Sequence, residues 1–436
     1  MSEKKLFESA QLGTLTLKNR LVMNPMTRSR SDEAGLANAL MAEYYGQRAT
    51  ACLIITEGIA PHANGRGYAR IPGLWSAEQA QSWKRVTAAV HAQGGHIFAQ
   101  LMHTGRVGHI GNLPKGAEVV APSPVAAPGQ MYTDAQGMQD HPVPHAMSEA
   151  QVLEAKASFV QASRNAVEGG FDGVELHGAN GYLLEQLLSP HTNQRDDAWG
   201  GSLEKRLRFV VETAREVVAA IGGGKVGIRL SPYGANAGMT AYPEIDETYR
   251  KLVPLLAEAG VTYIHVADHS AMGAPPVPAE LKQALRKLFP RSFILGGGFD
   301  HASAEQALRA DQADFIGVGR AWLANPDLIA RWQKDSDLNA PDFGTFYTPG
   351  ARGYTDYPLA TVYDPHTLAG RKCSRPALHR GPDWRRLASR GYQKLVAADG
   401  HNSAHNQPTM GSSGISGRRK VFENWCRRRG SNPHSP

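Results

Sequence analysis

Short runs that are apolar at every position recur along this chain. Longer stretches lie between them, in which apolar residues return every three or four positions. The first pattern suits a strand buried on both faces, as in a parallel sheet; the second suits a helix with one apolar stripe. Eight strand candidates stand out: Leu21–Asn24, Leu53–Thr56, Ile97–Gln100, Gly173–Leu176, Val226–Arg229, Tyr263–Val266, Phe293–Leu295 and Phe315–Val318. Helical stretches at 38–50, 76–93, 148–168, 202–221, 245–259, 279–288 and 302–310 alternate with them. Two open on a capping box, Ser76-Ala-Glu-Gln79 and Ser148-Glu-Ala-Gln151. Eight strand–helix units predict an α/β chain closed into a (β/α)8 TIM barrel. Leu12–Leu17 reads as an N-terminal hairpin capping the bottom of the barrel. The interval between strands three and four is too long for one helix. Its residues 104–147 are rich in Gly, Pro and His and predict an inserted lid over the mouth.

The pattern stops near residue 370. Residues 371–436 carry a net charge of +11, against +7 for the whole 436-residue chain, so residues 1–370 are mildly acidic at −4. The barrel is therefore expected to fill 1–370. The tail 371–436 is expected to be a basic, poorly ordered and non-native extension; a nucleic-acid or anionic-lipid contact is the alternative reading of its Arg runs. Hydrophobic content of 42% and charged content of 20% suit a globular protein. No apolar run spans a bilayer, and no apolar core follows the N-terminal lysines as in a signal peptide. Cys52, Cys373 and Cys426 form neither a disulfide framework nor a metal cluster. A cytoplasmic protein is expected, with no membrane or nucleic-acid partner and no metal, as monomer or homodimer.

In a barrel of this kind, chemistry gathers at the C-terminal ends of the strands. Here those ends carry Asn24-Pro25-Met26-Thr27, Glu57-Gly58, Gln100, His177 with Asn180 and Tyr182, Arg229, Gly296-Gly297-Gly298 and Gly319-Arg320. The glycine turns after strands seven and eight, with Arg320 beside them, suit a phosphate. Gln100 offers both donors and an acceptor, which matches an imide edge. Arg229 offers positive charge, and Thr27 a hydroxyl for a ring carbonyl. His177 and Asn180 look like a pair that grips a carbonyl oxygen, with the Tyr182 phenol beside them as a proton source. Each residue alone reads equally well as an ordinary core or wall position; together they describe a planar polar ligand carrying a phosphate.

Ordered motifs from about Leu6 to Leu359 resemble the old yellow enzyme family of FMN-dependent ene-reductases, of the N-ethylmaleimide reductase and pentaerythritol tetranitrate reductase type. They include Asn24-Pro-Met-Thr-Arg28, Gln100-Leu-Met-His-Thr-Gly-Arg106, His177-Gly-Ala-Asn-Gly-Tyr182, Gly227-Ile-Arg-Leu-Ser-Pro232 and Gly319-Arg-Ala-Trp-Leu-Ala-Asn-Pro-Asp327. The resemblance implies non-covalent FMN, with NADPH or NADH as hydride donor. Pro25, Met26, Thr27, Gly58, Gln100 and Arg229 would line the flavin ring, and Gly297, Gly298, Gly319 and Arg320 would hold its phosphate. His177 and Asn180 would bind the carbonyl or nitro group of a small activated alkene, and Tyr182 would protonate it. Nitrate esters are a further expected substrate class. Tyr68, Met102 and Tyr347 would shape the substrate pocket. The family often has Trp where Met102 stands and Ala where Gly58 stands, so a roomier pocket is expected. The alternatives are a flavin-free phosphate-binding barrel lyase or isomerase, and a flavin-binding protein without catalysis.

Overall fold

The barrel strands are short because each needs only to cross a wall of buried side chains. A computed structural model of the protein describes residues 4–360; the expected boundary near 370 and the basic tail lie outside them. In chain order the elements begin with the hairpin β1 (Ala10–Leu12) and β2 (Leu15–Leu17), then β3 (Leu21–Met23), α1 (Ala39–Gln47), β4 (Leu53–Ile59), α2 (Ala77–His91) and β5 (Ile97–Leu101). The insertion carries β6 (Val120–Ala121), β7 (Gln130–Thr133), β8 (Gly137–Asp140) and β9 (His145–Ala146). Next come α3 (Glu149–Glu168), β10 (Gly173–Gly178), α4 (Leu183–Leu188), α5 (Leu203–Ile221), β11 (Val226–Leu230), α6 (Ile245–Glu258), β12 (Tyr263–Ala267) and α7 (Ala279–Leu288). The described part closes with β13 (Ser292–Gly296), α8 (His301–Arg309), β14 (Phe315–Val318), α9 (Arg320–Ala324) and α10 (Leu328–Gln333).

Eight parallel strands form a closed barrel in the order β3-β4-β5-β10-β11-β12-β13-β14, with β14 pairing back to β3. Every residue of β4, β5, β10, β11 and β12 is buried, which is why these strands show no polar face. The helices pack outside. Both expected capping boxes are made, Ser76 with Gln79 and Ser148 with Gln151. A third, Asp300 with Ser303, opens α8; the serine at its fourth position hid it from a search for Glu or Gln.

The two ends of the barrel are closed differently. At the bottom, Leu12 and Leu17 of the β1–β2 hairpin join Val22, Leu53, Ile55, Phe98, Tyr263, Ile294 and Phe315 in one apolar cluster. Burying such side chains contributes about 1.5–3 kcal/mol each and leaves no channel through the base. At the mouth, Val107, Ala127 and Met131 of the insertion pack against Tyr68, Tyr182 and Ala237. The mouth is thus where polar groups remain. Among the described residues no helix is long and apolar enough to cross a membrane.

Candidate active site

Strand alternation builds a polar layer just inside the mouth. Residues two apart on a strand share a face, so Glu175 lies directly below His177 on β10. Glu175 is fully buried. Its carboxylate accepts from Gln100 Nε2 at 2.8 Å and from the Tyr263 hydroxyl at 3.1 Å, and it meets His265 Nδ1 at 3.0 Å. Burial lowers the pKa of His265 despite the neighbouring carboxylate, so the ring is neutral and places its one proton on Nδ1, toward Glu175. Its Nε2 is then a buried acceptor with no partner.

This layer holds Gln100 in place. One of its two amide hydrogens goes to Glu175, because a buried carboxylate must be satisfied. The second hydrogen and the amide oxygen remain for a ligand. The side chain responsible, Glu175, was passed over as one position of an apolar strand. The available signal was a carboxylate inside an otherwise apolar run.

Arg229 lies on β11, in register with His177 on one side and His265 on the other. It is 8% exposed. Burial lowers its pKa, Glu175 raises it, and the guanidinium stays charged. Its Nε is buried without a hydrogen-bond partner, as is Asn24 Oδ1 at the end of β3. Several unpaired polar atoms around one barrel mouth mark a place for a ligand with its own donors and acceptors. Pro25, Met26 and Thr27 follow β3 and are half-buried. Beside β3, the strands β14 and β13 run into Gly319 and into Gly297 and Gly298, with Arg320 exposed at the start of α9. A Cβ at Gly319 would meet nothing closer than the Met26 sulfur at 3.6 Å, so its backbone is open to an approaching group.

The turn after β10 carries the reactive side chains. His177 is 2% exposed, and burial, then the positive charge of Arg229, hold its pKa well below the usual histidine value. The neutral ring accepts from Ala179 N–H at Nδ1, 3.3 Å away, so its proton sits on Nε2. The Asn180 amide lies 3.4 Å from that Nε2. Its oxygen accepts from Asn236 at 3.4 Å, which turns its NH2 toward the histidine. With the proton on Nε2 both groups are donors, so neither satisfies the other and each has a hydrogen left for an acceptor. The Tyr182 ring stands edge-on to His177, 4.8 Å between centroids, and its hydroxyl is 2.9 Å from that of Tyr68.

The pocket wall is tightly packed at Met102. The side chain is 1% exposed. It lies over Gly58, where an added Cβ would come within 2.5 Å of the Met102 sulfur. Met102 thus fills the space that the missing Cβ leaves. The departures at 58 and 102 form one packing unit. Tyr347 sits on a segment pinned from below: Arg70 donates to its carbonyl at 2.9 Å and to Ser29 O, and forms an ion pair with Asp134 at the β7–β8 turn.

This geometry has counterparts among known proteins. The model of the NADH:flavin oxidoreductase / NADH oxidase family matches residues 5–339. The structure of morphinone reductase superposes with a TM-score of 0.79 at 38% identity, covering 82% of this chain and 97% of that one. An old yellow enzyme homologue from Zymomonas mobilis gives 0.78 at 34% identity, over 81% and 99%. A chanoclavine-I aldehyde reductase of Penicillium roqueforti is 37% identical over 372 residues, 82% of this chain and 97% of its own length. The chain belongs to the old yellow enzyme family.

Members of the old yellow enzyme family share FMN and a nicotinamide hydride donor, and this chain is an FMN-dependent NAD(P)H oxidoreductase of the alkene-reducing kind. The residues present fit such a cofactor: Arg229, His265 and Asn24 carry buried polar atoms without a hydrogen-bond partner, and the backbone at Gly319 is open. Glu57, next to Gly58, adds a titratable group behind that wall. Burial raises its pKa to about 7, although the Arg28 N–H and the Tyr45 hydroxyl both donate to it. A raised carboxyl pKa gives stability that is full below the unfolded value, about 4.5, and is lost as pH rises through about 7. Glu57→Gln is therefore expected to gain on the wild type by about 2–3 kcal/mol between pH 5 and pH 8. Paired urea melts at the two pH values test this; an unchanged difference would rule it out.

Proposed function

We propose that the protein reduces the C=C bond of α,β-unsaturated carbonyl and nitro compounds, with His177 and Asn180 holding the substrate oxygen and Tyr182 supplying the proton. One observation carries this reading. A neutral His177 Nε2–H and the Asn180 NH2 lie 3.4 Å apart as neighbouring donors, with a phenol edge-on to the imidazole. When bound, FMN supplies a hydride taken from NADPH or NADH. His177 and Asn180 donate to the substrate oxygen and strengthen those bonds as negative charge builds there. The β-carbon is thereby made electron-poor and accepts the hydride. Tyr182 delivers its phenolic proton to the α-carbon, and the substrate gains one hydride and one proton across the double bond. Tyr68, hydrogen-bonded to Tyr182, holds that phenol in place. Tyr347 and the insertion confine the substrate, and Gln100 and Arg229 serve the cofactor side of the mouth. Gly297, Gly298, Gly319 and Arg320 would take its phosphate.

Tyr182→Phe tests the assignment. The FMN-loaded protein is expected to be yellow, so each half of the cycle can be followed by flavin absorbance in rapid mixing. Oxidation by 2-cyclohexenone is expected to slow by about 10²–10⁴-fold, as for loss of a positioned acid. Reduction by NADPH should change little. Equal slowing of both halves would refute a role as proton donor. Nitroalkenes and nitrate esters assayed alongside establish how far the substrate class extends.

A further inference from the structure

The catalytic turn is built on an unfavourable backbone. Asn180 has φ +61° and Gly181 φ +78°, two successive left-handed residues. Such a pair is not self-supporting, because a side chain at φ above zero is strained even for Asn, the most tolerant residue after Gly. The turn also leaves two amide hydrogens with no sheet or helix partner of their own. One acidic side chain collects both. Gly181 N–H donates directly to Glu185 Oε2 at 2.6 Å. Asn180 N–H donates to Ser231 Oγ at 2.9 Å, and the Ser231 hydroxyl passes its single proton to Glu185 Oε1 at 2.9 Å. Tyr249 on α6 adds a third donor to Oε1 at 3.2 Å. Glu185 is 5% exposed and Ser231 1%. The Gly181 carbonyl is held as well, by Gln186 Nε2 at 2.7 Å.

We infer that Glu185, acting through Ser231, is the positioning residue that sets Asn180 and Tyr182 at the mouth, and that the strained turn exists only because this carboxyl gathers its amides. The inference rests on the proposed roles of His177, Asn180 and Tyr182. Ser231 follows β11 and Tyr249 belongs to α6, so the network ties the β10 turn to both the strand end and the helix of the next barrel unit. The Glu185 carboxyl is taken up by Gly181, Ser231 and Tyr249. Its effect is on direction: the left-handed backbone at Asn180 aims the amide beside His177, and Tyr182 follows two residues on.

Glutamine can make the same contacts. Its oxygen can accept from Gly181 N–H, and its NH2 can donate to the Ser231 and Tyr249 oxygens once those hydroxyls rotate. The proposal thus separates hydrogen bonding from charge. Glu185→Ala, Glu185→Gln, Ser231→Ala and Tyr182→Phe are compared as FMN-loaded enzymes, each half of the cycle timed separately. Glu185→Ala is expected to slow oxidation by 2-cyclohexenone by about 10²-fold, the scale of a misplacement near 1 Å. Glu185→Gln should recover most of that rate. Ser231→Ala, which cuts only the arm to Asn180, should fall between. A Glu185→Ala enzyme oxidised by the enone at the wild-type rate, while Tyr182→Phe is slow, overturns this inference and leaves the proposed function standing. A Tyr182→Phe enzyme at the wild-type rate instead removes the functional reading beneath it. Where Glu185→Ala does not accumulate as yellow protein, Ser231→Ala decides: an unchanged enone rate refutes the positioning role, and a slowed one with normal NADPH reduction supports it.

Discussion

His177→Ala is expected to lower kcat/KM for 2-cyclohexenone by about 10²–10³-fold, the usual loss for one preorganised donor at a developing oxyanion. The imidazole is buried and kept neutral by its surroundings, Arg229 among them, so it donates as a fixed dipole whose geometry is set before the substrate arrives. Asn180→Ala should cost a similar factor. The double variant should lose less than the product of the two, because the donors share one oxygen. The sign of the pH effect follows from the lowered pKa. A ring that is neutral well below the usual histidine value does not change charge across about pH 6–8. The deficit of His177→Ala should therefore be flat over that range. A deficit that vanishes toward high pH would mean that the wild-type ring acts as imidazolium, contrary to its burial beside a guanidinium. Steady-state rates at several pH values, with FMN content checked by absorbance, distinguish the two.

The fold was legible because a parallel barrel leaves a strong imprint. Strands such as Leu53–Ile59 and Phe315–Val318 are buried at every position, so their runs of apolar residues had no competing explanation. Residues at strand ends were legible for a related reason, since the chain must place polar groups somewhere and the mouth is the one wet end. What stayed hidden were pairwise relations across strands. Nothing in the order of residues says that Gly58 on β4 and Met102 just after β5 share one volume. Nor does it say that Gln100 gives one amide hydrogen to Glu175. Glu185 belongs to no motif in the sequence, and only the folded turn brings Gly181 N–H to its carboxyl. Periodicity reports which face a residue occupies; it carries no information about which neighbour it meets.

Glu175→Ala should be the most damaging single change in the barrel interior. It would leave the Gln100 NH2, the Tyr263 hydroxyl and the His265 Nδ1–H without their acceptor, in a layer where none of the four side chains is more than 2% exposed. Arg229 would also lose the carboxylate that offsets its burial. Removing one partner from a buried charged network costs about 3–5 kcal/mol, which for a chain of this size lowers Tm on the order of 10 °C. Glu175→Gln keeps the volume and one acceptor, so most of the stability should return. Its effect shifts to the cofactor. With the negative charge gone and Arg229 uncompensated, adding electrons nearby becomes easier, so the FMN midpoint potential should rise. Thermal melts of the apo- and holo-forms, with a reductive titration of Glu175→Gln, test both consequences. A Glu175→Ala protein melting with the wild type would show that the polar layer contributes nothing to stability. A lowered potential in Glu175→Gln would mean that Glu175 does not act on the flavin through its charge.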